Sequence, residues 1–483
     1  MASLTPTPRT RIAIAGANGF VGRELVLALV RSYDVIALGR QSGKESAPDG
    51  GVVFRRCDLF NLREAEDGLE GAQIAIYLVH SMMPSAHLTQ GDFEDLDLIC
   101  ADNFARAAAK NGVKHIVYLG GLLPTSKDDL SRHLRSRFEV EQALGSRGVP
   151  VTTLRAGLII GAGGSSFEMM SRLVGRLPFM IGPLWTQSLS QPIALKDVVS
   201  LLLFAVERPD LAGKAYDIGG PDVLSYADML RKAGEAQGKR TRVLTVPVRT
   251  VRLSLLWVSV ITGASQALVR PLVESLSHDM IATDGLLFQR EAKLAPQSLA
   301  AALAEAVETE RARHLEKGKP AKAAAATGKS ARDKYVCSVQ RLHVPPSGSA
   351  TTVAEEYVAW LPRFFPPFLR VTVDTTRTCR FYLWPLSKPL LELTFATDRS
   401  FSDRQLFYVT GGVLARLPEQ TEDGLRVRPR LEFRTVLDAT RALAAIHDFV
   451  PRLPWFVYKY TQALVHLIVM RAFARHLERK ESP

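Results

Sequence analysis

Residues 11–32 read RIAIAGANGFVGRELVLALVRS, and the reading of this stretch decides the fold. The apolar run Arg11–Ala15 has the length of a buried strand, and Arg23–Ser32 carries the wider apolar spacing of a helix. Between them stand Gly16, Gly19 and Gly22, with Asn18, Phe20 and Val21 in the gaps. Each glycine has a physical use here. Gly16 permits a tight turn, Gly19 lets a phosphate approach the backbone, and Gly22 lets the helix pack closely. The N–H groups at the helix start then face an anion. Strand, glycines and helix in that order predict a dinucleotide-binding turn, with Gly16, Asn18, Gly19, Phe20, Val21 and Gly22 holding the cofactor. The alternative is an ordinary strand–helix turn.

Working outward, short apolar runs alternate with helical patterns over the first 200 residues, the signature of a parallel sheet. Further strands are expected at Val35–Leu38, Val52–Arg55, Ile74–Val79, Ile116–Leu119 and Val151–Arg155, with a helix at Phe93–Lys110. The second strand ends VIALGRQSGK. A carboxylate there would suit the ribose hydroxyls of NAD, whereas an Arg accommodates a 2′-phosphate. Arg40 therefore favours NADP over NAD through bidentate guanidinium geometry; a merely solvated Arg40 is the alternative. Asp58-Leu59, closing the third strand, offers a hydrogen bond to the adenine, with a solvated loop Asp58 as the alternative, and Val79-His80 closes the fourth at the edge where such sheets bind ligands.

Hydrophobic residues make up 47% and charged residues 23% of the 483, a composition that excludes disorder as the main state. The net charge is +12, but residues 311–334 hold eight Lys/Arg and two Asp/Glu, so half the excess sits in 24 residues. A basic patch that binds nucleic acid lies on a folded face, so no nucleic-acid partner is expected. Four scattered cysteines suggest neither zinc nor disulfides. With no apolar leader ahead of Arg11, a cytoplasmic protein is expected. Leu253–Val269 is uncharged yet shorter than a spanning helix, which leaves peripheral membrane contact open.

Residues 311–334 mix Lys, Ala, Gly and Ser without periodicity and read as a flexible basic linker. It separates a Rossmann-type domain with a small substrate lobe, residues 9–310, from a domain at 335–483. There, strand-like LRVTVDTT, CRFYLWPL, LLELTFATD, RQLFYVTGG and RLEFRTVL precede one helical pattern from Pro454 to Leu477. The fold class is therefore α/β followed by α+β.

The glycine spacing, Asp58, Tyr77–Met82 (YLVHSM), Asn103 and Ile116–Gly121 (IVYLGG) resemble the extended and atypical short-chain dehydrogenase/reductases, especially their NmrA-like members. Asp217–Pro221, Gln191-Pro192-Ile193 and Asp197-Val198 are similar to that group's substrate-lobe patterns, and the resemblance covers about residues 10–300. The stretch from LFYVTGG (406–412) to AAIHDFVPRLPWFVYKYTQALVHLIVM (444–470) is similar to a poorly characterised domain fused behind such units and related to helix-grip folds. In distant kin, the same Rossmann type is a cofactor-holding accessory subunit of respiratory complex I.

The resemblance implies a catalytic Ser/Thr after the fifth strand and a Tyr-x-x-x-Lys helix. This chain has Gly120 and Gly121 at the first place and His133 to Arg137 at the second. Residues i and i+4 share one helical face, so both can point at the cofactor. A histidine can exchange protons at neutral pH, and an arginine can hold an oxygen. His133 as general acid with Arg137 beside it is one reading; two polar groups on a half-buried helix is the other. Tyr77, His80, Ser81 and Ser126 are further candidates. Phe167, Met169, Met170, Phe179, Met180, Leu184 and Trp185 suit either a small hydrophobic ligand or a core. No metal site is expected.

Three functions follow: an NADP(H)-dependent oxidoreductase on a hydrophobic carbonyl or enone, a non-catalytic NADP(H)-binding sensor or accessory subunit, and a carrier of a lipid-like ligand in the C-terminal domain.

Overall fold

The computed structural model describes residues 9–40, 51–80, 88–124, 130–246, 278–317, 335–345, 348–417 and 428–480. The chain divides into two compact units, Met1–Met82 with Cys100–Ala325, and Met83–Ile99 with Ala326–Pro483.

The first unit opens with β1 (Arg11–Ala15), α1 (Phe20–Leu29), β2 (Asp34–Gly39), β3 (Val52–Arg56), α2 (Leu62–Gly68) and β4 (Ile74–Tyr77). The short β5 (Leu88–Gln90) belongs to the second unit, and the boundary falls within α3 (Phe93–Lys110). Then follow β6 (His115–Gly121), α4 (Arg132–Gly145) and β7 (Val151–Ala156). The lobe adds β8 (Ile159–Ile160), α5 (Ser165–Arg176), β9 (Phe179–Gly182), β10 (Leu189–Ser190), β11 (Ile193–Ala194), α6 (Leu195–Glu207), β12 (Ala215–Ile218), β13 (Leu224–Ser225), α7 (Tyr226–Ala236) and β14 (Arg242–Thr245).

Seven strands form one sheet in the order β12-β7-β6-β4-β1-β2-β3. Every pairing in it is parallel. This is a Rossmann-type sheet, and its strand order reverses between β1 and β4, where such sheets bind ligands at their C-terminal edge. Burial on both faces explains the near-continuous apolar strands: Ile12, Ala13 and Ile14 are fully buried, as are Ala75, Ile76 and Tyr77.

The lobe motifs turn out to be staples. Asp217 accepts from the backbone N–H and hydroxyl of Thr283 at 2.9 and 2.8 Å. Gln191 accepts from the Ala282 amide at 3.0 Å and donates to the Gly220 carbonyl at 2.8 Å, while Asp197 accepts from the Gln297 amide at 2.7 Å. Buried polar side chains satisfied in this way hold the returning segment against the sheet. Of the apolar lobe residues, Phe167, Met170 and Met180 are core, whereas Phe179 and Leu184 are exposed.

The second unit is an eight-stranded sheet in the order β16-β17-β18-β19-β20-β21-β15-β5, with β15 at Val336–His343, β16 at Leu369–Val373, β17 at Cys379–Leu383, β18 at Leu391–Phe395, β19 at Arg404–Gly411, β20 at Arg430–Val436 and β21 at Arg441–Phe449. The five strand-like segments read from the sequence are all strands. Three elements are additional: β15, β21 and a helix at Ala350–Phe364. The alanines of RALAAIHDF hide β21, because small side chains suit a crowded sheet centre as well as a helix. The helix expected from Pro454 is two helices, Trp455–Tyr460 and Gln462–Arg479, broken at Thr461. Val469, Met470, Phe473 and Leu477 join Tyr357, Trp360 and Phe433 in one core.

The domain boundaries differ from the expected ones in two ways. Residues 83–99 group with the second unit because β5 pairs in parallel with β15. The expected linker starts as helix, since Leu299–Lys317 runs through its first seven residues; Leu299, Leu303 and Ala306 anchor that helix in the lobe core. Residues 318–334 and the uncharged stretch 253–269 lie outside the described residues. No described helix is long and apolar enough to cross a membrane.

On the sheet face opposite the helices, Glu432 is buried between Arg404 and Arg434, bonding each guanidinium Nε at 2.7 Å, with His447 at 3.2 Å. The two cations hold the Glu432 carboxyl well below its usual range against the effect of burial. Burial pushes His447 and His466 down to about 4. An unfolded histidine titrates near ~6.5, so between there and about 4 the unfolded chain binds more protons and stability falls with falling pH. Burial raises Asp95 to about 6 despite its Arg341 partner at 2.7 Å, and it acts oppositely, favouring the folded state as pH falls. Burial also lowers His115 and raises Asp197, so three histidines weaken the fold as pH falls and two carboxyls oppose them. Urea unfolding of the full chain across this window should show a net loss, and His466→Leu should reduce it. An unchanged slope in the variant would refute burial as the cause.

Candidate functional site

The turn after β1 has the geometry that its glycines suggest. Gly16 adopts φ +90°, a left-handed conformation open to glycine, and its carbonyl accepts from the Gly19 N–H at 2.9 Å. A Cβ on Gly16 would stand 3.1 Å from the Leu78 carbonyl carbon, so the turn lies directly against the end of β4. A Cβ on Gly22 would overlap the Gly16 carbonyl and lie 2.8 Å from the Ala17 Cα, so only glycine lets α1 start this close to β1. Gly19 is the N-cap of α1, with no side chain capping the helix and no acidic residue in its first turn. The amides of Phe20, Val21 and Gly22 therefore have no acceptor from within the helix. Asn18 and Gly19 are exposed beside them, and Phe20 is half-buried against Gly164. A glycine cradle with uncapped amides at a helix start fits a diphosphate.

The other expected cofactor positions line the same sheet edge. Arg40 is exposed one residue past β2, and no described residue pairs with it. The register pairs Gly39 with Arg56, which places a second exposed arginine at the end of the neighbouring strand. The sequence reading missed Arg56, because only the pairing of β2 with β3 brings it beside Arg40. Asp58 is buried and its Oδ1 accepts from the Phe60 N–H at 3.1 Å, which shapes the loop. Asn103 donates to the Leu59 carbonyl at 2.8 Å and fixes that loop from α3. Strand β4 ends at Tyr77, so Val79 and His80 lie on the loop that follows.

Three candidates named separately from the sequence come together. Arg137 donates through a terminal guanidinium nitrogen to His80 Nδ1 at 2.6 Å, and His80 Nε2 stands 3.2 Å from His133 Nε2. The two rings are 5.1 Å apart, centre to centre. His133 and Arg137 lie one turn apart on α4, which Ser131 caps by accepting from the Leu134 N–H. Arg137 is buried, and the carbonyl of the same residue accepts from the Tyr118 hydroxyl at 3.3 Å. Tyr77, by contrast, is fully buried between Phe104 and Tyr118 and is core. A Cβ on Gly121 would make ordinary contact with the Arg137 stem at 3.5 Å. Ser81, Ser126 and Lys44 lie outside the described residues. No described group of His, Cys, Asp and Glu could hold a metal.

The donor inventory fixes the protons. A guanidinium only donates, so His80 Nδ1 accepts and a neutral His80 carries its proton on Nε2. That proton points at His133 Nε2, which puts the neutral His133 proton on Nδ1. Two facing nitrogens share one proton, and a cation closes the far end. Nitrogen-15 spectra of the imidazoles should show His80 as the Nε2–H tautomer, reverting toward a mixture in Arg137→Gln. An Nδ1–H His80 in the unsubstituted protein would refute the arrangement.

Residues 16–172 match the family model described as NAD(P)H-binding. The auxiliary protein GraX of Staphylococcus aureus is 29% identical over 147 residues, covering 30% of this chain and 43% of that protein, so the chain spans less than half of that relative. The sanguinarine reductase of Eschscholzia californica is 29% identical over 249 residues, covering 43% of this chain and 88% of that enzyme. Among solved structures, the Citrobacter sp. triphenylmethane reductase complexed with NADP(H) is 17% identical, with a TM-score of 0.49, covering 61% of this chain and 99% of that one. Residues 16–172 of the first unit thus match an NAD(P)H-binding model, on the Rossmann-type sheet described above.

Proposed function

We propose that the protein is an NADP(H)-dependent oxidoreductase acting on a small hydrophobic carbonyl or enone substrate. The observation that carries the reading is the His80–His133–Arg137 cluster, joined to the loop that the glycine turn touches. Bound NADPH would supply a hydride to the substrate carbon. Its diphosphate would rest on the Phe20, Val21 and Gly22 amides, and its 2′-phosphate would meet Arg40, with Arg56 beside it. His133 would hydrogen-bond the substrate oxygen through its Nδ1–H and stabilise the charge that develops there, while its Nε2 accepts from the His80 Nε2–H and Arg137 adds its fixed positive charge. Water would supply the proton that the product oxygen takes up. The same cluster replaces the tyrosine and lysine of the resembling enzymes by a different donor.

Fluorescence titration should show tighter binding of NADPH than NADH, and Arg40→Ala should weaken NADPH selectively by about 10-fold or more, the loss of one charge-assisted phosphate contact. Equal loss for both cofactors would refute the phosphate assignment.

A panel of quinones and enones tests turnover. NADPH consumption should fall ~100-fold or more in His133→Ala, the usual size of the loss of one donor to a developing oxyanion. A second reading has its own observation: Gly120 and Gly121 stand where the resembling enzymes carry Ser or Thr, and an auxiliary protein is among the relatives. Cofactor that stays bound and unreacted across the panel would favour that non-catalytic role. We read the second unit as helix-grip-like, with Gln462–Arg479 packed on its curved sheet, in a cytoplasmic protein.

A further inference from the structure

The helix pair at the chain's end has an outer face that its own unit leaves uncovered. Helix Gln462–Arg479 buries Ala463, Val469, Met470, Phe473 and Leu477 against the sheet. The exposed residues of the pair change character along the chain. Phe456, Val457, Tyr460, Leu464, Val465 and Ile468 are all exposed, each by more than 40%. Phe456 and Tyr460 pair edge to face at 5.1 Å, and Lys459 lies 5.4 Å over the Tyr460 ring. One turn beyond Ile468 the exposed residues become basic. Arg471, Arg475 and Arg479 are exposed, and among the described residues none has an ionic partner. Over 455–480 there are five Lys/Arg and one acidic residue, Glu478.

An exposed apolar and aromatic patch continued by unpaired cations suits a bilayer interface, where apolar side chains reach the acyl boundary and cations meet anionic headgroups. From Leu464 to Arg479 is about 22 Å of helix, at ~1.5 Å per residue. That is long enough for one end to enter the acyl boundary while the other meets phosphates. We infer that this face docks on an anionic lipid surface, as a peripheral contact and not a span. Charge selects the occupant: a neutral apolar partner would gain nothing from three unpaired arginines, and a second copy of the chain would bring like charges together.

The test is co-sedimentation of the full chain with phosphatidylcholine vesicles, with and without phosphatidylglycerol. The protein should pellet with the anionic vesicles and much less with the neutral ones. Replacing Arg471, Arg475 and Arg479 by Gln should lower the partition on the order of 100-fold, from ~5-fold per cation. Leu464→Gln with Ile468→Gln should also lower it. All these side chains are exposed, so the far-ultraviolet circular dichroism and the urea midpoint of the full chain should persist. The basic run at 311–334 would attract anionic vesicles by charge alone and would not respond to Leu464→Gln. Binding that ignores both variants, or no binding to either vesicle, overturns the inference. So does a dimer by light scattering that Leu464→Gln with Ile468→Gln dissociates, since the face would then belong to a second copy.

Discussion

The first unit depends on one close approach, that of Gly22 at the start of α1 to Gly16 and Ala17 at the end of β1. A single methyl group at residue 22 would occupy the space of the Gly16 carbonyl. Because it is absent, the helix begins immediately beside the strand and its first amides open onto the sheet's C-terminal edge. The same turn presses on Leu78, and so sets the course of the loop that carries His80. The glycine turn and the loop that carries His80 thus share one packing contact, between Gly16 and Leu78.

Around that contact the structure uses buried polar groups for shape. Asn103 ties the Asp58–Leu59 loop, while Asp217, Gln191 and Asp197 hold the returning segment. These are hydrogen-bonded side chains whose loss would leave unsatisfied groups in a low-dielectric interior. The second unit applies the same rule with charges. Glu432 stays ionised because two guanidiniums face it, and His447 stays neutral because burial, and then the Arg430 guanidinium, disfavour a further charge. Such a cluster is a poor source of net stability, but removing one member leaves the others uncompensated.

Much of this was legible from residues. Period and glycine placement located β1, α1, strands β2, β3, β4, β6 and β7 and five strands of the second unit within a few residues, since buried strands demand apolar runs. The misses have causes. Alanine-rich β21 carries a single β-branched residue, Ile446, and the alanines of Leu299–Lys317 continue a helix into a segment whose Lys, Gly and Ser read as linker. The apolar lobe residues split between core and surface because Phe179 and Met180 alternate across a strand, which composition alone does not resolve.

The sequence by itself determined the cofactor turn, because backbone sterics at Gly16 and Gly22 are local and tolerate no substitute. It also marked His80, His133, Arg137 and Arg40 as residues with chemistry to offer. Only the tertiary structure decided which of them act together. His80 lies 53 residues before its histidine partner and 57 before its arginine, and Arg56 joins Arg40 only through strand register. Hydrogen bonds and charges act over a few ångströms, so their pairing is a property of how distant segments pack and is not written in spacing along the chain.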